Sequence, residues 1–137
     1  MRHRIETKKF NRSQGARKAL LRSLALALID KGEIETTLPK AKWLRPFIER
    51  LLSLSKKGTL ASHRLVIARL GNKPLSAKKL REDWVPKFKE IPSGYTRILR
   101  LQTKRKDSAK MARISFIVPK EVKPAKNRVL EGKDRAK

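Results

Sequence analysis

The residue pattern changes at Thr37 from a two-residue alternation to a helical period, and this junction constrains the fold most. Before it, "EIETT" places Glu33 and Glu35 on one face of a short strand. After it, "LPKAKWLRPFIERLLSLSKK" carries apolar residues on one side of a helix and charged residues on the other. The residues that fall on the apolar side are Ala41, Leu44, Phe47, Ile48, Leu51, Leu52 and Ser55. The stretch predicts a strand that turns directly into an amphipathic helix.

Two prolines lie within this predicted helix. Thr37 is a suitable N-cap, and Pro39 lies in the first turn, where a missing N–H has little effect. Pro46 lies further along on the charged side, where proline costs a helix ~3 kcal/mol and leaves the Lys42 carbonyl without its usual partner. On that side the carbonyl can reach water or a ligand. We therefore expect a bend at Pro46 and no break.

The flanking segments predict three further helices. Ser13 can cap a first helix that ends at Gly32, and Thr59 can begin a helix that is closed by "GNKP". A shorter helix is expected from Ser76, with an end or kink at Pro86.

Two strands are expected after the helices. "IPSGYTRILRLQ" is expected to form a turn followed by a strand. "MARISFIV" alternates, with Ala112, Ile114, Phe116 and Val118 on one face, and the basic loop "TKRKDSAK" joins the two strands. The element order is therefore α-β-α-α-α-β-β. It predicts an α+β fold class of two layers, a small three-stranded mixed sheet packed on one face by about four helices.

A chain of 137 residues suits one domain, here with charged segments at both ends. Residues 1–12 show no sustained period and are expected to form an extended basic arm. Residues 13–118 are expected to form a single globular α/β domain. Residues 119–137 are charged, contain proline and glycine, and are expected to be a disordered tail.

The charge points to a polyanionic partner. Lys and Arg number 37 against 12 Asp and Glu, a formal net charge of +25. Small soluble domains usually carry a net charge of about 2–8 with mixed signs, so solubility alone does not explain this excess. Nucleic acid is the expected partner class. Aromatic residues make up only 5%, so contacts to phosphate and to RNA shape should dominate over base stacking.

The candidate RNA-binding residues lie in the arm, at the start of the first helix, along the second helix and around the hairpin. They are Arg2, His3, Arg4, Lys8, Lys9, Arg12, Arg17, Lys18, Arg22, Lys40, Lys42, Arg45, Arg97, Lys104, Arg105, Lys106 and Lys110. Basic segments of this kind commonly become ordered on binding.

Other residues invite different interpretations. Glu33 and Glu35 could hold Mg²⁺ in a nuclease, but no general base or further carboxylate cluster accompanies them, so an acidic sheet edge that discourages strand pairing is favoured. His63 is expected to be packed or half-buried. Trp84 is a core candidate, whereas Trp43 lies at the flank of its helix and could also stack on a base.

Cofactors and membrane segments are not expected. The chain has no cysteine, which excludes disulfides, thiol catalysis and cysteine-based zinc sites. With only two histidines, a transition-metal site is not expected either. The longest apolar run, Leu24 to Ile29, has six residues against the roughly 20 that cross a bilayer. No secretory signal is recognisable at the N-terminus, so the cytoplasm is the expected location.

The opening "MRHR", the central "IETTLPKAKWLRPFIERLLSLSKK" and the later "GYTRILRL" resemble the bacterial large-subunit ribosomal protein family numbered seventeen. The resemblance runs from Met1 to about Val118. Its most specific part is a set of central residues at the family's spacing: Ile34, Thr36, Thr37, Lys40, Ala41, Lys42, Glu49, Leu51 and Lys56. Pro46 stands where the family normally has a helix-compatible residue, and Arg50 where relatives often carry proline.

This resemblance implies a structural constituent of the 50S subunit without catalytic activity, cofactor or small-molecule substrate. It implies binding to 23S ribosomal RNA, support of subunit assembly, and a place on the solvent side near the exit tunnel, next to ribosomal protein thirty-two. Composition alone does not separate this role from that of a free RNA chaperone or nucleoid protein.

Overall fold

The strand-to-helix junction forms as the residue pattern predicts. In the computed structural model, which describes residues 8–104 and 107–117, strand β1 (Glu33–Thr37) is followed at once by helix α2 (Leu38–Lys56). Thr37 occupies the N-cap position with an extended backbone, although its side chain makes no capping hydrogen bond. Pro39 lies in the first turn, where its missing N–H leaves no helical bond unmade.

Helix α2 runs unbroken through Pro46 and forms the centre of the core. Its side chains Leu44, Ile48, Leu51 and Leu52 are fully buried, whereas Pro46 is exposed on the opposite side. The expectation of no break is confirmed, and the expected bend stays a prediction.

Two further helices begin and end at the residues that the pattern indicates. Helix α1 (Gln14–Lys31) begins after Ser13, whose hydroxyl accepts a hydrogen bond from the Ala16 N–H at 3.5 Å, and ends at Gly32 in the left-handed conformation. Helix α3 (Leu60–Arg69) begins after Thr59, whose hydroxyl accepts from the Ser62 N–H at 3.2 Å. Local capping chemistry therefore sets these boundaries.

The segment after α3 departs in detail from the predicted single helix. Helix α4 (Pro74–Lys79) begins two residues before Ser76, because proline fits the first helical position, where an N–H would have no partner. A π-helical turn (Leu80–Trp84) and a 3₁₀ turn (Pro86–Phe88) follow. The predicted change of helical structure at Pro86 is confirmed, since the proline has no N–H with which to continue the bonding pattern.

An aromatic cluster joins these two turns to the sheet. The ring centroids of Trp84 and Phe116 lie 4.3 Å apart, and those of Phe88 and Tyr95 lie 5.3 Å apart. Trp84 also donates from Nε1 to the Ile29 carbonyl at 2.9 Å. Trp84 is half-buried and packs against the buried core, which bears out its expected inward position.

The sheet corrects one prediction. Strands β2 (Thr96–Lys104) and β3 (Lys110–Phe116) form a hairpin, and β3 lies in the centre of the order β1-β3-β2. Both pairings are antiparallel, so the sheet is not mixed. The helices between β1 and β2 do return the chain in the same direction, but β3 separates these two strands and runs opposite to both.

The two faces of the sheet follow the expected alternation. Ala112, Ile114 and Phe116 are buried against the helices, while Glu33 and Glu35 are exposed on edge strand β1. Residues 1–7, 105–106 and 118–137 lie outside the described residues. The predicted tail, Val118 and most of the predicted arm fall there, and the predicted domain boundaries stay predictions.

A substitution at Gly32 tests the packing between the end of α1 and the aromatic cluster. Its φ is +79°, and a Cβ added there would lie 2.8 Å from Cη2 of Trp84. We expect Gly32→Ala to lower the free energy of unfolding by about 1–3 kcal/mol in urea denaturation, because alanine is strained at this φ and Trp84 is held by its own hydrogen bond.

Gly15→Ala is the matched control. Gly15 lies in the first turn of α1 with nothing within 4 Å of the added Cβ, so this change should be neutral or stabilise by up to about 1 kcal/mol. Equal effects of the two substitutions would show that glycine at position 32 is not needed for the packing against Trp84.

Candidate nucleic-acid interface

Three adjoining depressions cross the exposed sides of α1, α2 and α3. The first depression lies at Trp43, the second at Lys18 and the third at Lys57. They adjoin because the first and third share Pro46 and Arg50, the first and second share Leu21 and Phe47, and the second and third share Arg69. We call this surface the basic groove. Its cations are Lys8, Lys18, Arg22, Lys42, Arg50, Lys57 and Arg69.

Helix α2 supplies one long side of the basic groove. Lys42, Pro46, Arg50 and Lys57 follow one another at steps of four, four and seven residues, which places them along one flank of a helix. This flank lies on the side of α2 opposite the buried residues, so packing of the apolar side leaves these side chains outward. Lys42, Arg50 and Lys57 are all exposed.

Helices α1 and α3 supply the other side through packing. Arg22 of α1 donates from Nε to the Arg69 carbonyl at the end of α3, at 3.3 Å. Gly71 makes room for this contact, since a Cβ there would lie 3.2 Å from Cδ of Arg22. Arg22 is therefore both a groove residue and a structural link between two helices.

Glu49 is the one acidic residue among those lining the basic groove in the described parts of the chain. Its Oε1 accepts hydrogen bonds from Nε of Arg45 at 3.3 Å and from the hydroxyl of Thr96 at 3.1 Å. The carboxylate is thus already engaged by its own helix and by β2. It does little to neutralise the groove cations.

The structure separates the predicted RNA-binding residues into several places. Those that line the basic groove are Lys8, Lys18, Arg22 and Lys42. Around the start of α1, Lys9 and Arg12 are exposed, and Arg17 donates from Nη1 to the Arg12 carbonyl at 2.7 Å. Lys40 is half-buried in the first turn of α2, and Arg45 pairs with Glu49.

The remaining candidates belong to the sheet or lie outside the described residues. Arg97 and Lys110 are exposed on β2 and β3, away from the basic groove, and Lys104 ends β2. The candidates outside the described residues are Arg2, His3, Arg4, Arg105 and Lys106. Whether any of the candidates contacts RNA stays a prediction.

Sequence reasoning missed Arg50, Lys57 and Arg69 as candidates. The spacing along α2 from Lys42 could have indicated Arg50 and Lys57. Arg69 has no such signal, because only the packing of α3 against α1 and α2 brings it to the groove.

Lys56 differs from its exposed neighbour Lys57. It is half-buried and donates from Nζ to the Ile91 carbonyl at 2.6 Å. Its ammonium also lies 5.4 Å from the centre of the Tyr95 ring. Lys56 therefore fastens the turn before β2 to the core.

The acidic pair on β1 has a structural partner. Arg113, opposite Glu35 on β3, donates to Glu35 Oε1 at 2.7 Å from Nη2 and at 3.2 Å from Nε. The hydrogen bond to Glu35, together with the charges of Glu33 and Glu35, raises the pKa of Arg113 above its usual value. Within residues 8–104 and 107–117, no group of three or more His, Asp or Glu side chains could hold a metal ion. The alternative of an acidic sheet edge fits this arrangement.

Residues 20–117 match the protein family described as Ribosomal protein L17. The chain belongs to this family. A curated relative from Persephonella marina, named large ribosomal subunit protein bL17, is 51% identical over 118 residues, which are 85% of this chain and 95% of the relative. Relatives of the same name from Sulfurihydrogenibium sp. and Campylobacter jejuni subsp. doylei are 48% and 44% identical, again over 85% of this chain, and over 97% and 99% of their own lengths.

Family membership confirms the resemblance found in the sequence. Ribosomal protein L17 is a structural component and not an enzyme, so the catalytic alternative built on Glu33 and Glu35 is no longer needed. In the part of the chain that the structure describes, no helix is both long enough and apolar enough to cross a membrane.

Substitutions at the adjacent residues Lys56 and Lys57 distinguish a lysine that stabilises the fold from one that is exposed to solvent. Lys56→Met removes the donor to the Ile91 carbonyl and should lower the free energy of unfolding by about 1–3 kcal/mol. Lys57→Met changes an exposed side chain and should stay within about 0.5 kcal/mol of the unsubstituted protein. Urea denaturation measures both, and an equal loss in the two variants would contradict the assigned roles.

Proposed function

We propose that this member of the L17 family binds 23S ribosomal RNA through the basic groove and supports assembly of the large ribosomal subunit. The observation that carries the proposal is the charge of the groove, in which, among the described residues, seven cations meet one acid that is already hydrogen-bonded. The relatives come from bacteria, which supports the proposal that this protein acts in a cytoplasmic ribosome.

The groove suits a phosphate backbone because most of its cations stand on helices that are already packed. Arg50 belongs to α2, Lys57 caps its C-terminal end, and Arg69 belongs to α3, so their main chains do not have to be ordered on binding. Each phosphate contact releases counterions that had condensed on the RNA. Arginine can also donate two hydrogen bonds to one phosphate, which adds orientation to charge.

The other predicted cations would extend this contact. Arg97 and Lys110 face solvent on the sheet, and Lys9 and Arg12 lie before α1. Together they give RNA more than one surface to approach, which fits a protein that fills a space between RNA helices. Contact with ribosomal protein thirty-two is a further part of the proposal, supported by the resemblance alone.

Sedimentation tests the ribosomal role against that of a free RNA chaperone or nucleoid protein. A tagged copy of the chain, expressed in a bacterium, is sedimented from lysate through a sucrose gradient at high salt. We expect it to remain with the large subunit, because a protein built into the particle is held by shape as well as charge. Recovery at the top of the gradient, or spread over all RNA, would favour the chaperone.

The salt dependence of binding tests the groove itself. If six or more phosphates are contacted, affinity for a 23S ribosomal RNA transcript should fall on the order of 10³-fold between about 50 and 200 mM salt. A fourfold variant, Lys42→Gln, Arg50→Gln, Lys57→Gln and Arg69→Gln, should bind more weakly, and its logarithmic salt slope should be smaller by roughly three to four.

A control variant removes the same charge elsewhere. It changes four exposed cations outside the basic groove to glutamine: Lys73, Lys78, Arg81 and Lys89. Its salt slope should change much less, because those side chains lie away from the bound phosphates. Equal slopes in the two variants would show that binding follows net charge and not the groove.

A further inference from the structure

The first depression of the basic groove has a lining that phosphate binding alone does not require. It encloses about 490 Å³, within the range of about 300–1,000 Å³ that is usual for small-ligand sites. Trp43, Pro46 and Phe47 form an apolar and aromatic wall, together with Leu21 and Pro39. A groove that held only phosphates would have no need of such a wall.

The charge of this depression favours a nucleotide over an apolar peptide. Its charged lining residues are Lys8, Lys42 and Arg50, and no acid lies among the described residues that line it. An aromatic wall with cations beside it matches a flat base whose own phosphates lie at the rim. Single-stranded nucleic acid is commonly bound by this combination.

Trp43 already packs against an aromatic ring, that of Phe10, in the protein without RNA. The ring centroids of Phe10 and Trp43 lie 5.1 Å apart, with the planes tilted by 54°. Phe10 and Asn11 both have a left-handed backbone, with φ of 53° and 49°, a conformation that is unfavourable for a bulky residue. An incoming base could therefore replace Phe10 without the loss of a favourable backbone conformation.

We propose that the first depression holds one unpaired RNA base against Trp43, with the flanking phosphates on Lys42 and Arg50. This inference rests on the proposed RNA binding and adds a recognition step to it. Phosphate contacts alone would hold any RNA of suitable shape, whereas this site requires a base that is free to leave its helix. It also gives Trp43 a role in RNA binding, as the sequence left open.

Two RNA hairpins test the site. One carries a single bulged adenosine, and the other has the same sequence with an abasic ribose at the bulge, so that only the base differs. The unsubstituted protein should bind the adenosine hairpin at least about fivefold more tightly, the lower end of what stacking of one base contributes. Trp43→Leu should reduce this ratio to about one without weakening binding to the abasic hairpin, and Trp43→Phe should keep part of it.

Leu99→Ala is the control variant, since Leu99 is exposed on the sheet, away from the basic groove, and should leave the ratio unchanged. Thermal unfolding of each variant shows whether the fold is retained. A ratio near one for the unsubstituted protein, or a ratio unaltered by Trp43→Leu, would overturn the base site, while salt-dependent binding of both hairpins would leave the proposed function standing. Absence of binding to either hairpin at low salt would overturn both proposals.

Discussion

Burial of one face of α2 is the constraint on which the rest of the structure depends. Full burial of Leu44, Ile48, Leu51 and Leu52 is worth about 1.5–3 kcal/mol for each side chain. Their sum exceeds the ~3 kcal/mol that a proline costs inside a helix, so α2 continues through Pro46. The sheet, α1 and α3 all pack against this helix. The flank of α2 that none of them covers becomes the side of the basic groove.

Several acids among the described residues connect elements of the fold, and the cations of the chain far outnumber its acids. Glu49 links α2 to Thr96 of β2, and Glu35 links β1 to Arg113 of β3. An exposed ion pair such as that of Glu35 with Arg113 contributes about 0–1 kcal/mol, so its value lies more in holding β1 and β3 in register than in stability. Some cations are structural as well, as Lys56 and Arg22 show. Charge by itself is therefore a poor guide to which residue faces RNA.

Local chemistry allowed most of the fold to be predicted, and the failures have physical causes. Ser13, Thr59 and Gly32 act through hydrogen bonds and backbone angles within a few residues of themselves, so sequence shows them directly. The π-helical turn before Pro86 was not predicted, because it depends on how Leu80 and Phe88 both reach the core. The prediction of a mixed sheet was wrong because strand order depends on pairing between distant segments. Hydrophobic alternation within one strand gives no information about that pairing.

The sequence by itself determined the helical and strand periods, the caps and the large positive charge, and its motifs indicated the L17 family. Each of these is a property of neighbouring residues or of composition. Only the tertiary structure decided which cations share a surface, since Arg69 meets Arg22 and Arg50 through the packing of three helices. It also decided that Lys56 is engaged by the Ile91 carbonyl. The reason is that a groove consists of residues far apart in the chain, and burial of the apolar faces brings them together.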